Sequence, residues 1–331
     1  MTPGPTWAFR ALQLFAAAAI ALTLAVLLGL QNPFWAAMPV WVVAQPHRED
    51  LLLRAVLRVA GTAFGAALGW AALVYLPDAG PRILVLAGAT AAGAAAAYWI
   101  GTVYSYGILL AAITLAVVLV PAMDHPVDAT ALALDRVWCT LIGVVAVTAI
   151  TFVFTPRRPR PRPPRRAPAA RVVLWHGAIA GVTALLGGVA VQVIGGPAGI
   201  ATALSLCIFS LIICSSRDPR PMLTYMAPGA SIGVLAALAY RGLDLLLPDP
   251  AGTALVLALP FIAAGAVLRG HPRSAPFGLD ANMCFLLVAE AGAAGHGYRA
   301  DHLGGVAMVL SAVVFTAVFR RVGAPAETDG A

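Results

Sequence analysis

Apolar residues run along this chain in blocks of up to about twenty, separated by short polar, proline or glycine breaks, from one end to the other. A block of that length, carrying almost no charge, is what an α-helix needs to cross a hydrocarbon core ~30 Å thick at ~1.5 Å per residue. The pattern predicts spans near residues 11–30, 33–45, 55–76, 82–100, 104–122 and 136–155. A second set is expected near 172–195, 197–214, 223–247, 251–268, 276–294 and 303–319. The expected fold class is an all-α polytopic membrane protein of about twelve transmembrane segments. The first block is long for a signal-peptide core, lacks a clear cleavage site and precedes many further spans, so it reads as retained.

The two sets echo each other. YLPDAGPRILVLA at 75–87 matches LLPDPAGTALVLA at 246–258, and SYGILLAAITLAVV at 105–118 matches PFGLDANMCFLLVA at 276–289. TFVFTPRR at 151–158 echoes TAVFRRVG at 316–323. Six segments per set, an even number, predicts parallel repeats related by an axis along the membrane normal. The domains expected are a first membrane repeat at 1–155, a linker at 156–171, a second repeat at 172–320 and a tail at 321–331.

One segment breaks the pattern. NPFWAAMPVWVVAQP, residues 32–46, is short, aromatic and interrupted by Pro39. From Pro33 to Gln45 a helix would extend about 20 Å, less than the bilayer core. Broken backbone at membrane depth is tolerated only where protein buries it or water lines it, and such segments point to transport sites. An interfacial tryptophan belt on a tilted helix is the alternative for Trp35 and Trp41. The counterpart in the second set, at 197–214, is longer and lacks tryptophan.

Composition agrees with a bilayer: 61% of residues are hydrophobic and 11% charged, against about a quarter charged in soluble domains. All basic residues are arginine, and seven fall in PRRPRPRPPRRAPAAR, residues 156–171, where proline blocks helix and like charges repel. The net charge of +7 therefore reports membrane orientation, not nucleic acid. With that linker cytoplasmic, Arg10, Arg48, Arg54, Arg217, Arg220, Arg269, Arg273, Arg320 and Arg321 fall on the same side. Arg82, Arg136 and Arg299 fall at outer loops, beside Asp78, Asp124, Asp128, Asp249 and Asp301. Both termini are expected in the cytoplasm. The cysteines Cys139, Cys207, Cys214 and Cys284 lie inside apolar runs without metal-ligand or disulfide spacing and read as packing residues.

A family resemblance joins three of these stretches. NPFWAAMPVWVVAQP, RAVLRVAGTAFGAALG at 54–69 and DRVWCTLIGVVAVTAITFVFTPRR at 135–158 resemble, in that order, the membrane unit of the fusaric acid resistance or aromatic acid exporter family. The resemblance is strong in the first half and reaches the second through the repeat. It implies export of small, often aromatic, organic acids across the bacterial inner (plasma) membrane. Several such exporters carry a large soluble domain where this chain has the proline–arginine linker. Plant malate-activated anion channels resemble this unit more distantly.

Candidate chemistry is sparse. Gly61, Gly65 and Gly69, like Gly229 and Gly233, sit four apart on one helical face, where a neighbouring backbone can approach. GASIG at 229–233 fits a hydrolase pattern around Ser231, but lies within an apolar span and not on a strand–turn–helix elbow. No nucleotide-loop or metalloprotease pattern occurs, and nothing points to an enzyme, a cofactor or a metal. Ionisable groups inside spans are costly and become candidates by default. Arg58, one turn beyond Arg54, would attract a carboxylate, with Trp35, Trp41, Gln45, Tyr104 and Tyr106 as the remaining substrate-binding candidates. Asp280, Glu290 and His176 are the proton-coupling candidates. Simpler readings stand beside these: Arg54 snorkelling to headgroups, Asp280 capping its helix, and local ion pairs for Asp135–Arg136 and Arg241–Asp244.

The expected function is proton-coupled export of small organic anions, with aromatic carboxylates favoured. The expected partners are bilayer lipid and a small organic acid, and no oligomeric state follows from the sequence. A passive anion channel and a non-transporting membrane assembly component are the rival readings.

Overall fold

The computed structural model describes residues 6–158, 167–246 and 250–323. The centre of the linker, the last residues of the tail and Asp249 lie outside the described residues. The described chain is helical, with no strand. Thirteen helices follow in order: α1 Trp7–Leu27, α2 Phe34–Val43, α3 Arg48–Tyr75, α4 Ala79–Ile100, α5 Ser105–Leu119, α6 Pro121–Asp124, α7 Ala129–Thr151, α8 Ala170–Ile194, α9 Gly196–Cys214, α10 Arg220–Asp244, α11 Pro250–Gly270, α12 Ala275–Ala289 and α13 Tyr298–Val322. α6 prolongs α5, so the two make one apolar rod from Ser105 to Asp124.

Ten of these are long and apolar enough to cross a membrane. The chain is a multi-pass membrane protein in contact with lipid. Two segments expected as spans are shorter. The 10-residue α2 extends ~15 Å and the 15-residue α12 ~22 Å, less than the hydrocarbon core. α2 begins beyond Pro33 and ends where Gln45 Nε2 donates to the Val42 and Ala44 carbonyls, each at 3.0 Å. α12 ends at Glu290, whose backbone adopts the left-handed conformation at φ 42°, a region costly for a residue with a Cβ.

α2 is enclosed by protein. Ala36, Ala37, Met38, Val40 and Val43 are fully buried and Trp41 is 1% exposed, so its short backbone never meets lipid. It packs against α1, α7 and α12. The α3–α5 and α10–α12 pairings are among the most extensive in the bundle, with α4–α8, and both rest on glycine. A Cβ on Gly61 would meet the Gly107 carbonyl and lie 3.1 Å from Leu110 Cβ; one on Gly229 would lie 2.9 Å from both the Phe277 carbonyl oxygen and Asp280 Cβ. Gly65 abuts the Ala111 backbone, and Gly233 the Ala281 backbone, in the same way. α4 against α8 and α1 against α11 join the two halves.

Arginines close the helix ends. Arg48 Nε donates to the Thr155 carbonyl at 3.1 Å, Arg217 Nη2 to Trp99 at 2.8 Å and Arg320 Nη2 to Leu223 at 2.8 Å. Each meets a carbonyl at or near a helix end, including those the last turn of a helix leaves without a partner. Arg158 pairs with Asp50 at the same end of the bundle. Arg82 does the same at the other end, donating to Leu73, Leu76 and Ala122.

Candidate functional site

A cavity of about 1190 Å³ lies between the halves, and residues from both ends of the bundle line it. Arg54, Arg58, Tyr106, Arg217 and Asp280 border it at the arginine-rich end; Trp35, Arg136, Asp128, Glu290, His296 and Asp301 border the opposite end. Its middle is apolar, formed by Met38, Leu109, Ile113, Leu204, Phe209 and Leu287 among others. Small-molecule sites usually enclose about 300–1,000 Å³. At that volume the cavity has room for a small organic molecule with water beside it.

Tyr106 organises the first end. It is 6% exposed, near the start of α5. Arg58 Nη1 donates to its hydroxyl at 3.0 Å, and the Arg54 guanidinium carbon lies 4.9 Å from its ring centroid. The four-residue spacing puts both arginines on one face of α3, so one tyrosine meets both. Arg54 also donates to the Val42 carbonyl at 3.2 Å, at the end of α2. Arg58 is 7% exposed and its Nε has no hydrogen-bond partner among the described residues. Asp280 is half-buried, and no hydrogen bond or ion pair is seen for it among the described residues. A buried cation with its Nε unused, and a carboxylate that feels the Arg269 charge but makes no hydrogen bond among the described residues, form a polar lip on an apolar chamber.

The opposite end carries a second cluster. Arg241, 4% exposed, has Asp244 and Asp301 oxygens at 3.4 Å and a Glu290 oxygen at 3.9 Å. His296 Nδ1 lies 3.0 Å from Glu290 Oε2. That hydrogen bond and the neighbouring charge raise the His296 pKa above the usual imidazole value. The Arg241–Asp244 pair expected from spacing is present, but it is one spoke of a hub with three carboxylates.

Asp135 and Arg136 do not pair as their adjacency suggests. Asp135 Oδ1 accepts from the Gln31 and Asn32 amides at 2.8 and 3.4 Å, and its Oδ2 from Asn32 Nδ2 at 3.2 Å, fixing the turn between α1 and α2. Arg136 turns into the cavity and stacks on Trp35, 3.7 Å from the ring centroid. Consecutive helical residues point about 100° apart, so each serves a different neighbour. Treating them as a pair hides Arg136 as a site residue.

Of the candidates read from the sequence, Trp35, Arg58, Tyr106, Asp280 and Glu290 line the cavity. Trp41 packs within the core, and Gln45 closes α2. Tyr104 is 60% exposed, on the last residue before α5. His176 is 3% exposed, donates from Nδ1 to the Cys214 carbonyl at 2.7 Å and lies against Tyr98 and Phe319. Ser231 donates to the Ala227 carbonyl of its own helix at 2.9 Å, with no elbow around it. No group of three or more potential metal-ligating His, Cys, Asp or Glu side chains occurs among the described residues.

Residues 6–170 match the family model of the fusaric acid resistance protein family. An uncharacterized transporter of Gluconobacter oxydans (strain 621H) is 28% identical over 162 residues, which is 46% of this chain and 22% of that relative. The chain thus matches about a fifth of the relative's length. No solved structure matches it. The stretch that supplies Trp35, Arg58, Tyr106 and Arg136 is the one the family model covers, and through it this chain belongs to the fusaric acid resistance protein family.

Proposed function

We propose that this protein is a secondary transporter that exports small organic anions, aromatic carboxylates above all, from the bacterial cytoplasm in exchange for protons. The observation that carries the reading is the chamber between the halves, apolar in its middle and bordered at one end by Arg54 and Arg58 around Tyr106. An aromatic carboxylate has the complementary parts, an anionic head for the guanidinium and a ring for the apolar wall. Family membership and the relative's description as a transporter support the same class. Neither feature calls for catalysis.

In this reading the arginine-rich end faces the cytoplasm of a cell with the protein in its inner membrane, following the arginine asymmetry of the loops. The halves act as two parallel repeats of six segments, with α2 and α12 short because they border the pathway. The matched glycine contacts of α3–α5 and α10–α12 support that symmetry. They make Leu110 the counterpart of Asp280, one residue from the Leu109 that the sequence alignment pairs with it. One half thus carries an acid where the other carries a leucine, which packing alone does not require. Asp280 is the proton-coupling group: alternately exposed, it would bind a proton on one side and release it on the other.

The test is flux of an aromatic acid panel in proteoliposomes under imposed pH gradients. Gradient-driven accumulation by the wild type, lost in Asp280→Asn while exchange persists, is the expected result. Flux that ignores the proton gradient would identify a channel, and absence of flux would leave an assembly role.

A further inference from the structure

We propose that Arg136, stacked on Trp35 at the end of the chamber remote from Arg58, is a second carboxylate-binding station for an aromatic acid. The inference rests on the transport reading, because the station lies in the same chamber.

Arg136 is 7% exposed and its side chain borders the cavity. Its Nε and Nη1 have no hydrogen-bond partner among the described residues, and neither has Nε1 of Trp35. Three buried donors with no acceptor are therefore carried by two stacked side chains that border the cavity. Leaving buried donors unmade is costly, and a buried cation more so. The neighbouring carboxylates Asp135 and Glu290 favour the cation electrostatically, but neither accepts a hydrogen bond from it among the described residues. Asp135 is committed to the α1–α2 turn, and Glu290 and Asp301 gather on Arg241. What the corner lacks is an acceptor-only group with two oxygens, and a carboxylate is that group.

The wall beside it is apolar, with Phe34, Met38 and Leu287, and would take a ring. The indole also fixes the guanidinium plane, which limits the entropy lost when a ligand binds. Placement matters as much as chemistry. Arg136 stacks at the start of α2, and Arg54 bonds the Val42 carbonyl near its end. Seven residues of helix separate Trp35 and Val42, about 10 Å, close to the length of one small aromatic acid. The short helix is thereby a spacer with an arginine at each end. An anion released by Arg58 would meet the second cation within one molecular length.

The experiment uses the purified full chain in lipid nanodiscs with 4-bromobenzoate, whose bromine quenches nearby indole fluorescence, and its neutral counterpart 4-bromobenzamide. Subtracting the signal of Trp35→Phe isolates Trp35 from the other tryptophans. Saturable quenching of Trp35 by bromobenzoate is expected, weakened tenfold or more in Arg136→Gln, less in Arg136→Lys, and still present in Arg58→Gln. The affinity for bromobenzamide should be the same in all of them. Should Arg136→Gln fail to fold, Arg136→Lys keeps the charge and carries the comparison. Equal losses for acid and amide would make Arg136 structural and overturn the station, as would unchanged bromobenzoate binding in Arg136→Gln. A wild type that exports aromatic acids without quenching at Trp35 would overturn the station alone. A wild type that neither binds nor moves any acid would remove the transport reading and the station together.

Discussion

Gly65 is the point at which the α3–α5 contact is least able to yield. A Cβ there would strike the Ala111 carbonyl oxygen and stand 2.9 Å from both the carbonyl carbon and Cα of the same residue. Carbon atoms in comfortable contact lie about 3.5–4.0 Å apart, so the backbones must part by roughly 0.6–1 Å. A gap of that size forfeits a quarter to a half of the attraction between the facing atoms. Backbone cannot swing aside as a side chain can. Overpacking of this kind costs about 1–3 kcal/mol, against which alanine recovers up to ~1 kcal/mol of helix propensity. Gly65→Ala should therefore lose on the order of 1–2 kcal/mol, and Gly65→Leu should fail to accumulate as folded protein. Gly233→Ala, which meets the Ala281 backbone, should behave like Gly65→Ala. Gly88→Ala is the control, since nothing lies within 4 Å of its Cβ position; it should match or exceed the wild type. The assay is the thermal unfolding midpoint in detergent, read beside the yield of monodisperse protein. A midpoint for Gly65→Ala equal to those of the wild type and Gly88→Ala would refute the close-packing account.

Three further outcomes follow from the same geometry. Arg58→Gln removes a cation at the chamber lip and one ion contact worth about 1–3 kcal/mol, so apparent affinity for aromatic carboxylates should fall about tenfold or more. A neutral aromatic analogue should be affected much less, and equal loss for both would make Arg58 structural. In a background lacking the native cysteines, Pro272→Cys should resist an impermeant thiol reagent outside intact cells while His125→Cys reacts; the opposite pattern would invert the proposed orientation. His296 has a folded-state pKa raised by Glu290, so its stabilisation is full below the ordinary imidazole pKa of about 6.5 and is lost as pH rises through the higher folded value. The wild-type midpoint should fall from about pH 6 to pH 8 by more than that of His296→Gln, and parallel curves would exclude the pair as a contributor.

Sequence alone determined where the helices lie, because an apolar block of sufficient length is a local property that needs no partner. The segment centres, the brevity of α2 with its Pro39, and the sorting of arginines to one set of loops are all legible in the order of residues. Glycines spaced four apart likewise announced a close helix contact, although not that Gly65 would face Ala111. The tertiary structure decided which polar groups share a space. Trp35 and Trp41 are six residues apart on one helix and point about 120° from each other, so one borders the chamber and the other is sealed in the core. Arg48, Arg54, Arg58 and Arg217 carry the same charge near the same end of the bundle. Arg48 meets helix-end carbonyls and the Phe152 ring away from the chamber, Arg217 meets carbonyls while bordering the chamber, and Arg54 and Arg58 converge on Tyr106. Arg136 was hidden by its neighbour Asp135, since adjacency in a chain suggests an ion pair. A helix turns adjacent side chains toward different neighbours, and only the packing of α7 against α1 and α2 shows which neighbours those are.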